Sequence, residues 1–313
     1  MKVNSLSVVI PVYNSQDTLD ELLERLASTL PTLAEQFEVI LVNDGSRDRS
    51  WETISRLSQE YAWVHGINLM RNYGQHNAVL CGVRQAQYAL LVTMDDDLQH
   101  PPEEIHKLLE KLDEGYDVVY GIPMKQTHSW WRNFITVLIR RLLANIMGVK
   151  SIRDFASFRA FRTGLRNAFA NYQNPNVILD VLLSWGTARF ANAIVNETPR
   201  TVGRSNYNFI KLVQYTLVVL TGFSTVPLRF TSMLGFLFTL VGIAIFLYVL
   251  AIYFLLGSIP GFPFLASIIA IFSGTQMFAL GIMGEYLARI FDRSMDRPPY
   301  VIGGTTSQTG EPG

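Results

Sequence analysis

Short apolar runs alternate along the first part of the chain with segments in which apolar residues recur every three or four positions. The runs near residues 6–13, 37–42, 64–69, 88–94 and 117–121 predict buried strands, and the segments between them predict helices. Strands that alternate with helices at this spacing predict an α/β fold with a doubly wound, mostly parallel sheet.

Polar side chains follow several of these predicted strands. Asn14, Asp44, Arg71, Asp95 and Asp97 all stand where an apolar run ends. Because sheets of this kind bind ligands at the carboxyl ends of their strands, we expect these residues to surround one site.

The most informative stretch is residues 93–102, Thr-Met-Asp-Asp-Asp-Leu-Gln-His-Pro-Pro. In an extended chain Asp95 and Asp97 point to the same side, and Gln99 is expected to join them. Hard oxygen ligands suit Mg²⁺ or Mn²⁺, and such an ion in turn holds phosphate oxygens. An acidic, solvated loop with no ligand is the alternative interpretation.

Residues 129–147 have a different pattern, in which aromatic and aliphatic residues, among them Trp130 and Trp131, are interspersed with arginines such as Arg132. This pattern predicts a helix that lies in a membrane interface, and residues 206–228 are interpreted as a second, juxtamembrane helix. An amphipathic helix packed on the sheet is the alternative for the first of these.

The stretch from 230 to 284 contains no Asp, Glu, Lys, Arg or His. It predicts a hairpin of two transmembrane helices, near 230–256 and 264–284, because about 20 apolar residues suffice to span a bilayer. Arginines flank both ends, which places both ends in the cytoplasm. The alternative is a hairpin buried in a soluble protein.

These patterns divide the chain into a cytoplasmic catalytic domain at 1–205, a hairpin region at 229–290 and a cytoplasmic tail at 291–313, disordered from Gly303 onward. The 26 basic and 26 acidic residues balance, so the charge gives no indication of a nucleic-acid partner, and none is predicted. The single cysteine, Cys81, excludes an internal disulfide and fits a reducing compartment.

One explanation should account for three predicted features: the acidic loop at 93–102, the basic loop at 200–207 with Arg200 and Arg204, and the membrane hairpin. Transfer from a nucleotide diphosphate donor to a lipid phosphate uses all three, since a divalent ion makes the diphosphate a better leaving group. A phosphomonoester has its second pKa near 6, so the acceptor is already a nucleophile at neutral pH.

Several motifs together resemble family 2 glycosyltransferases with a GT-A, Rossmann-like fold. They are VVIPVYN (8–14), VNDGS (42–46), RNYGQHNA (71–78), DDDLQHPPE (95–103) and R-x-x-G-x-S-x-Y (200–207). The resemblance is to the branch that includes dolichyl-phosphate mannose synthase and the bacterial polyprenyl-phosphate glycosyltransferases.

That resemblance implies an inverting transfer from a UDP-sugar to undecaprenyl phosphate or another polyprenyl phosphate, with Mg²⁺ or Mn²⁺ as cofactor. It also implies a multi-pass protein of the bacterial inner membrane with a cytoplasmic catalytic domain, assembled as a homotetramer. It does not identify the sugar.

The resemblance also implies roles for individual residues. The nucleotide-sugar set is Pro11, Tyr13, Asn14, Asp44, Arg71, Asp95, Arg200, Ser205 and Tyr207. The metal set is Asp95, Asp97 and Gln99. The catalytic or positioning candidates are Asp97 and Asp154. The candidates for binding the lipid phosphate are Lys125, Arg132 and Arg204.

Two positions depart from the family pattern. Ser15 follows Asn14 where the family usually has Glu, and Asn206 stands where Lys is common; Arg204 is expected to compensate for that missing lysine. These departures keep open a catalytically inactive scaffold.

Two further alternatives are a non-enzymatic protein that binds or flips lipid phosphate and a family 2 polysaccharide synthase that acts on another acceptor. The synthases carry a Q-x-x-R-W motif, and no arginine in this sequence is followed by tryptophan.

Overall fold

The computed structural model describes residues 2–123, 156–196, 198, 226–256 and 261–306. The strands are β1 Val3–Val12, β2 Ala34–Asn43, β3 Val64–Leu69, β4 Leu90–Thr93, β5 Val118–Pro123, β6 Arg159–Arg162, β7 Phe190–Val195 and β8 Ile302–Thr305. The helices are α1 Leu19–Leu33, α2 Ser50–Glu60, α3 Gln75–Gln85, α4 Ile105–Asp113, α5 Leu179–Gly186, α6 Val226–Leu256 and α7 Phe262–Ser294. Short 3₁₀ helices occupy Pro102–Glu104 and Thr163–Phe169.

The strands of the described residues form one sheet in the order β7-β5-β6-β4-β1-β2-β3-β8. Neighbours β4-β1-β2-β3 are parallel, as are β5 and β7, whereas β6 and β8 run antiparallel to their neighbours. The predicted α/β class with a mostly parallel sheet is therefore confirmed.

Strand β1 lies at the centre of the sheet and is apolar along both faces. Val8 and Ile10 pack in the core with the leucines of α1, including Leu22 and Leu26. On the other face the side chain of Val9 lies against α3, where Gly82 leaves no room for a larger residue. Because helices cover both faces, the strand reads as a continuous apolar run rather than an alternating one.

The tail prediction is wrong for the residues that the structure describes after Gly303. Strand β8 adds to the edge of the sheet beside β3, and the N–H of Met70 donates to the carbonyl of Val301 at 3.0 Å. The hydroxyl of Thr306 accepts the N–H of Gly66 at 3.0 Å. Residues 302–305 carry little strand signal by themselves, and pairing with β3 supplies the missing hydrogen bonds.

Helices α6 and α7 belong to a second compact unit, residues 207–295. The rings of Phe238 and Phe272 pack edge to face with centroids 5.9 Å apart. Of the described residues, one stretch, 227–245 with a mean hydropathy of 1.8, is long and apolar enough to cross a membrane. This stretch exposes large apolar side chains such as Phe236 and Leu237. The second predicted crossing stays a prediction.

Several predicted features lie outside the described residues. They are the interfacial helix at 129–147, nearly all of the juxtamembrane helix at 206–228, and the candidates Lys125, Arg132, Asp154, Arg200, Arg204, Ser205 and Tyr207.

Candidate active site

A cleft opens at the sheet edge where β1, β2 and β4 end. Its volume is about 240 Å³. Its lining combines the end of β1 with the first residue after β2, the loop before α3 and the acidic loop after β4: Pro11, Val12, Tyr13, Asp44, Asn72, Gly74, Gln75, Asp95, Asp96 and Asp97. The prediction that polar residues at strand ends gather around one site holds for Asp44, Asp95 and Asp97.

Asp44 is buried and fixes one wall of this cleft. Its two carboxylate oxygens accept the N–H groups of Tyr73 at 2.7 Å and Gly74 at 2.9 Å. Burial raises the pKa of Asp44, and these two hydrogen bonds oppose the rise. Asp44 therefore holds the loop that leads into α3, whatever else its carboxylate contacts.

The residue after Asp44 must be glycine for a steric reason. Gly45 has φ +64°, and a Cβ there would lie 2.5 Å from the carbonyl carbon of Arg71 and from the nitrogen of Asn72. Any side chain would push away the loop that Asp44 holds. The Asp-Gly pair is thus a structural element of the cleft as well as a turn after β2.

Three consecutive aspartates form the acidic wall. Asp95 accepts hydrogen bonds from the amide of Gln75 at 2.5 Å and the hydroxyl of Ser157 at 2.6 Å. Burial raises the pKa of Asp95; the Ser157 hydroxyl opposes this rise and the charge of Asp97 adds to it. Asp97 also accepts the N–H of Gln99 at 3.1 Å.

Asp96 faces the same cleft and meets the end of β1. It accepts the N–H of Tyr13 at 3.3 Å and interacts with the hydroxyl of Ser15. Burial raises the pKa of Asp96 to about 6, although both hydrogen bonds oppose the rise. The hydroxyl of Ser15, at the position where the family usually has Glu, donates to the carbonyl of Tyr13 at 3.2 Å.

Asp95 and Asp97 face the same cleft, as predicted, but the strict alternation of an extended strand does not continue past Thr93, where β4 ends. All three aspartates therefore line the cleft, including Asp96, whereas Gln99 is not among the lining residues. The carbonyl of Gln99 accepts the N–H of Thr198 at 3.0 Å.

The remaining described candidates lie around the cleft without lining it. Asn14, with φ +54°, accepts the N–H of Arg47 at 2.8 Å and so fixes the turn after β1. Arg71 is exposed, and its guanidinium carbon lies 4.8 Å from the ring centroid of Tyr73. Their predicted contacts with the donor stay predictions.

The acidic wall fits a divalent cation if the ligand supplies part of the coordination. Within the described ranges, no group of three or more His, Cys, Asp or Glu side chains is arranged to hold a metal ion. Mg²⁺ characteristically takes one or two carboxylates and fills its other positions with water and substrate phosphates. Asp95 and Asp97, whose mutual repulsion a cation would relieve, match that donor set.

Sequence reasoning missed Asp96 as a lining residue, and it missed Gln75 and Ser157 as the hydrogen-bond donors to Asp95. Gln75 lies inside the RNYGQHNA motif, and Ser157 lies in a stretch of aromatic residues and arginines at 154–162. Neither is charged, and both are distant from Asp95 in sequence, so only their proximity in the fold reveals the contact.

The segment after β7 also joins the acidic loop. The hydroxyl of Thr198 donates to the carbonyl of Leu98 at 2.5 Å. Glu104, at the end of the short 3₁₀ helix, accepts the N–H of Asn196 at 3.0 Å. Thr198 stands two residues before the predicted phosphate-binding Arg200 in the sequence.

Comparison with known proteins agrees with this fold. The family profile described as "Glycosyl transferase family 2" matches residues 7–171. Undecaprenyl-phosphate 4-deoxy-4-formamido-L-arabinose transferase of Klebsiella pneumoniae (strain 342) is 35% identical over 305 residues, which cover 96% of this chain and 93% of that protein. The enzyme of the same name from Edwardsiella ictaluri (strain 93-146) is 35% identical over 96% of this chain and 94% of its own length.

Among solved structures, glucosyl-3-phosphoglycerate synthase from Mycobacterium tuberculosis, in complex with Mn²⁺, UDP and phosphoglyceric acid, is similar with a TM-score of 0.50. The identity is 17%, and the match covers 70% of this chain and 76% of that one. This likeness concerns the fold alone and agrees with the GT-A architecture that the motifs predicted.

Proposed function

The chain belongs to glycosyltransferase family 2, and on that premise we propose that it transfers a sugar from a UDP-sugar to a polyprenyl phosphate in a bacterial membrane. The observation that carries this proposal is the single cleft in which Asp44, Asp95, Asp96 and Asp97 meet at the carboxyl edge of the sheet. The names of the relatives support undecaprenyl phosphate as the acceptor and a 4-deoxy-4-formamido-L-arabinosyl group as one candidate sugar.

The proposed reaction is a displacement at the anomeric carbon. A phosphate oxygen of the lipid forms the new bond to that carbon, the bond to the β-phosphate oxygen breaks, and UDP leaves with the electron pair. Because the lipid phosphate is largely ionised at neutral pH, the protein need not remove a proton from it. Its work is to position the two substrates and to stabilise the charge on the leaving group.

The described residues support particular parts of that work. Pro11, Tyr13 and the loop held by Asp44 would contact the nucleoside, in keeping with their place in the cleft. Asp95 and Asp97 would hold Mg²⁺ or Mn²⁺, which when bound neutralises charge on the diphosphate. The hydrogen bonds of Thr198 to the acidic loop support the predicted role of Arg200 toward the donor phosphates.

The membrane part of the proposal rests on the apolar stretch 227–245, together with the lipid acceptor in the relatives' names. A polyprenyl chain stays in the bilayer, so an enzyme that uses it must bring its cleft to the membrane surface. Lys125, Arg132 and Arg204 remain the candidates for holding the lipid phosphate.

A transfer assay with single donors tests the proposal. Detergent-solubilised full-length protein is incubated with undecaprenyl phosphate, Mn²⁺ or Mg²⁺, and one radiolabelled UDP-sugar at a time, with UDP-glucose and UDP-4-deoxy-4-formamido-L-arabinose among them. We expect at least one donor to label the lipid, and we expect Asp97→Asn to abolish that labelling.

The matched control is Asp113→Asn, which removes an exposed carboxylate at the end of α4 and should leave transfer unchanged. If no donor labels the lipid although the protein binds lipid phosphate, a non-enzymatic lipid-binding protein or an inactive scaffold is the better explanation.

A further inference from the structure

Ser157 lies just before β6 and joins it to the acidic wall. Its hydroxyl donates to Oδ2 of Asp95 at 2.6 Å. Its carbonyl accepts the hydroxyl of Thr93 at 2.6 Å, and Thr93 is the last residue of β4. The serine is therefore held to the strand that ends at the aspartates, and its hydroxyl has a fixed direction.

Gln75, the first residue of α3, restrains the other oxygen of the same carboxylate. Its side-chain amide donates to Oδ1 of Asp95 at 2.5 Å. The start of α3 is itself fixed, because the N–H of Gly74 donates to Asp44 at 2.9 Å. Each oxygen of Asp95 thus receives one hydrogen bond from a neutral donor, which orients the carboxylate without neutralising its charge.

A buried ion pair lies next to Ser157, at the start of β6. Arg159 is 3% exposed; its Nε donates to the hydroxyl of Thr93 at 3.1 Å, and its guanidinium pairs with Asp180. The hydroxyl of Tyr120 also donates to Asp180, at 2.8 Å. The Arg159–Asp180 pair joins β6 to α5, and the hydrogen bond from Arg159 to Thr93 joins β6 to β4, so the segment that carries Ser157 is held on both sides.

We propose that Ser157, together with Gln75, is a positioning residue that sets the rotation of the Asp95 carboxylate toward a divalent cation and the donor diphosphate. This inference rests on the proposed function, in which Asp95 holds the cation. Carboxylates that bind metals depend on such neighbouring hydrogen bonds, and losing one typically reduces metal affinity about 10–100-fold. A serine that only packs the strand junction would not affect metal affinity.

Metal binding, measured without catalysis, tests this role. Full-length protein in detergent is titrated with Mn²⁺ in the presence of UDP, and free Mn²⁺ is followed by electron paramagnetic resonance. Ser157→Ala should weaken Mn²⁺ binding about 10–100-fold, and Gln75→Ala should weaken it in the same direction. Ser157→Thr keeps a hydroxyl and should restore most of the affinity.

Two controls separate positioning from folding. Ser184→Ala removes a hydroxyl that donates within α5, to the carbonyl of Val181 at 2.7 Å, and should bind Mn²⁺ as the wild type does. UDP binding measured calorimetrically in EDTA should be unchanged by Ser157→Ala, since the nucleoside contacts remain.

The two ideas fail separately. If Asp97→Asn loses Mn²⁺ binding while Ser157→Ala and Gln75→Ala keep it, the positioning role is wrong and the proposed function stands. If Ser157→Ala loses UDP binding in EDTA as well, the serine is a folding residue and the inference is again overturned. If the wild-type protein binds no Mn²⁺ with UDP, both ideas are contradicted.

Discussion

Carboxylates at opposite edges of the same sheet have different hydrogen-bond partners. At the carboxyl edge, Asp95 and Asp96 take their hydrogen bonds from neutral groups. At the amino edge, just before β5, Asp117 accepts two hydrogen bonds from the guanidinium of Arg189, at 2.8 and 2.9 Å, and lies 3.4 Å from Arg162.

The carboxylates at the two edges therefore differ in the state of charge that they favour. Burial raises the pKa of Asp95 and Asp96. Burial would also raise the pKa of Asp117, but hydrogen bonds from Arg189 and Thr187 and the charges of Arg189 and Arg162 hold it below its usual value. The amino edge neutralises its carboxylate with arginines and so stabilises the fold, whereas the carboxyl edge keeps carboxylates that a bound cation would stabilise.

Replacing an aspartate by asparagine at each edge should give the largest difference between the two edges, both in the rate of transfer and in the midpoint of thermal unfolding. Asp95→Asn removes a proposed cation ligand, and we expect transfer to fall about 10²–10³-fold, the usual effect of losing one electrostatic contact to a transition state. The midpoint of thermal unfolding should not fall, because the repulsion between Asp95 and Asp97 is relieved. Measuring kcat and the unfolding midpoint on the same preparation checks both.

Asp117→Asn is the counterpart at the amino edge. It should lower the midpoint of thermal unfolding, since Asp117 would no longer accept charge-assisted hydrogen bonds on both carboxylate oxygens from Arg189. The folded protein should keep its kcat. If Asp117→Asn reduces kcat as strongly as Asp95→Asn does, the functional distinction between the two edges is wrong.

Two glycine-to-alanine substitutions, one at each edge of the sheet, test the same difference through the backbone and should affect activity less. Gly45→Ala places a methyl group 2.5 Å from the backbone of the loop that Asp44 holds, at φ +64°. We expect it to destabilise the protein by about 2–4 kcal/mol and to raise the KM for the donor. Urea unfolding and donor-saturation kinetics measure these two effects.

Gly115→Ala is the matched control at the amino edge. Gly115 has φ +99°, but a Cβ there would meet no atom of the described residues within 4 Å. Backbone strain alone should cost about 1–2 kcal/mol, and the KM for the donor should stay constant. An equal rise in KM for both variants would show that general destabilisation, not the cleft loop, accounts for the effect.

The smallest predicted effect is a pH dependence at the amino edge. Because the folded-state pKa of Asp117 is lowered, its stabilisation is present at neutral pH and is lost as the pH falls below the ordinary aspartate pKa of about 4 and through the folded value. The difference in unfolding midpoint between the wild type and Asp117→Asn should therefore shrink between pH 6 and pH 3. A constant difference would show that the ion pairs contribute nothing measurable.

Local patterns explain why much of the fold was predictable. The strand at Val64–Leu69 lies where its apolar run predicted it, and β1 and β2 begin three residues before their predicted starts. The tail was not predictable in this way, because residues 302–305 have no apolar pattern and become a strand only beside β3. The side chains that orient Asp95 were missed for a related reason, since Gln75 and Ser157 have no charge that would mark them.

The sequence alone determined that an α/β domain with acidic residues after its fourth strand precedes a long uncharged apolar region, because hydrophobic periodicity and residue type are local properties. Only the tertiary structure decided that all three aspartates face one cleft, and that Tyr13, Gln75 and Ser157, which lie between 20 and 83 residues away from them in sequence, supply their hydrogen bonds. Sheet order brings those segments together, and the direction of a side chain depends on contacts that no local pattern encodes.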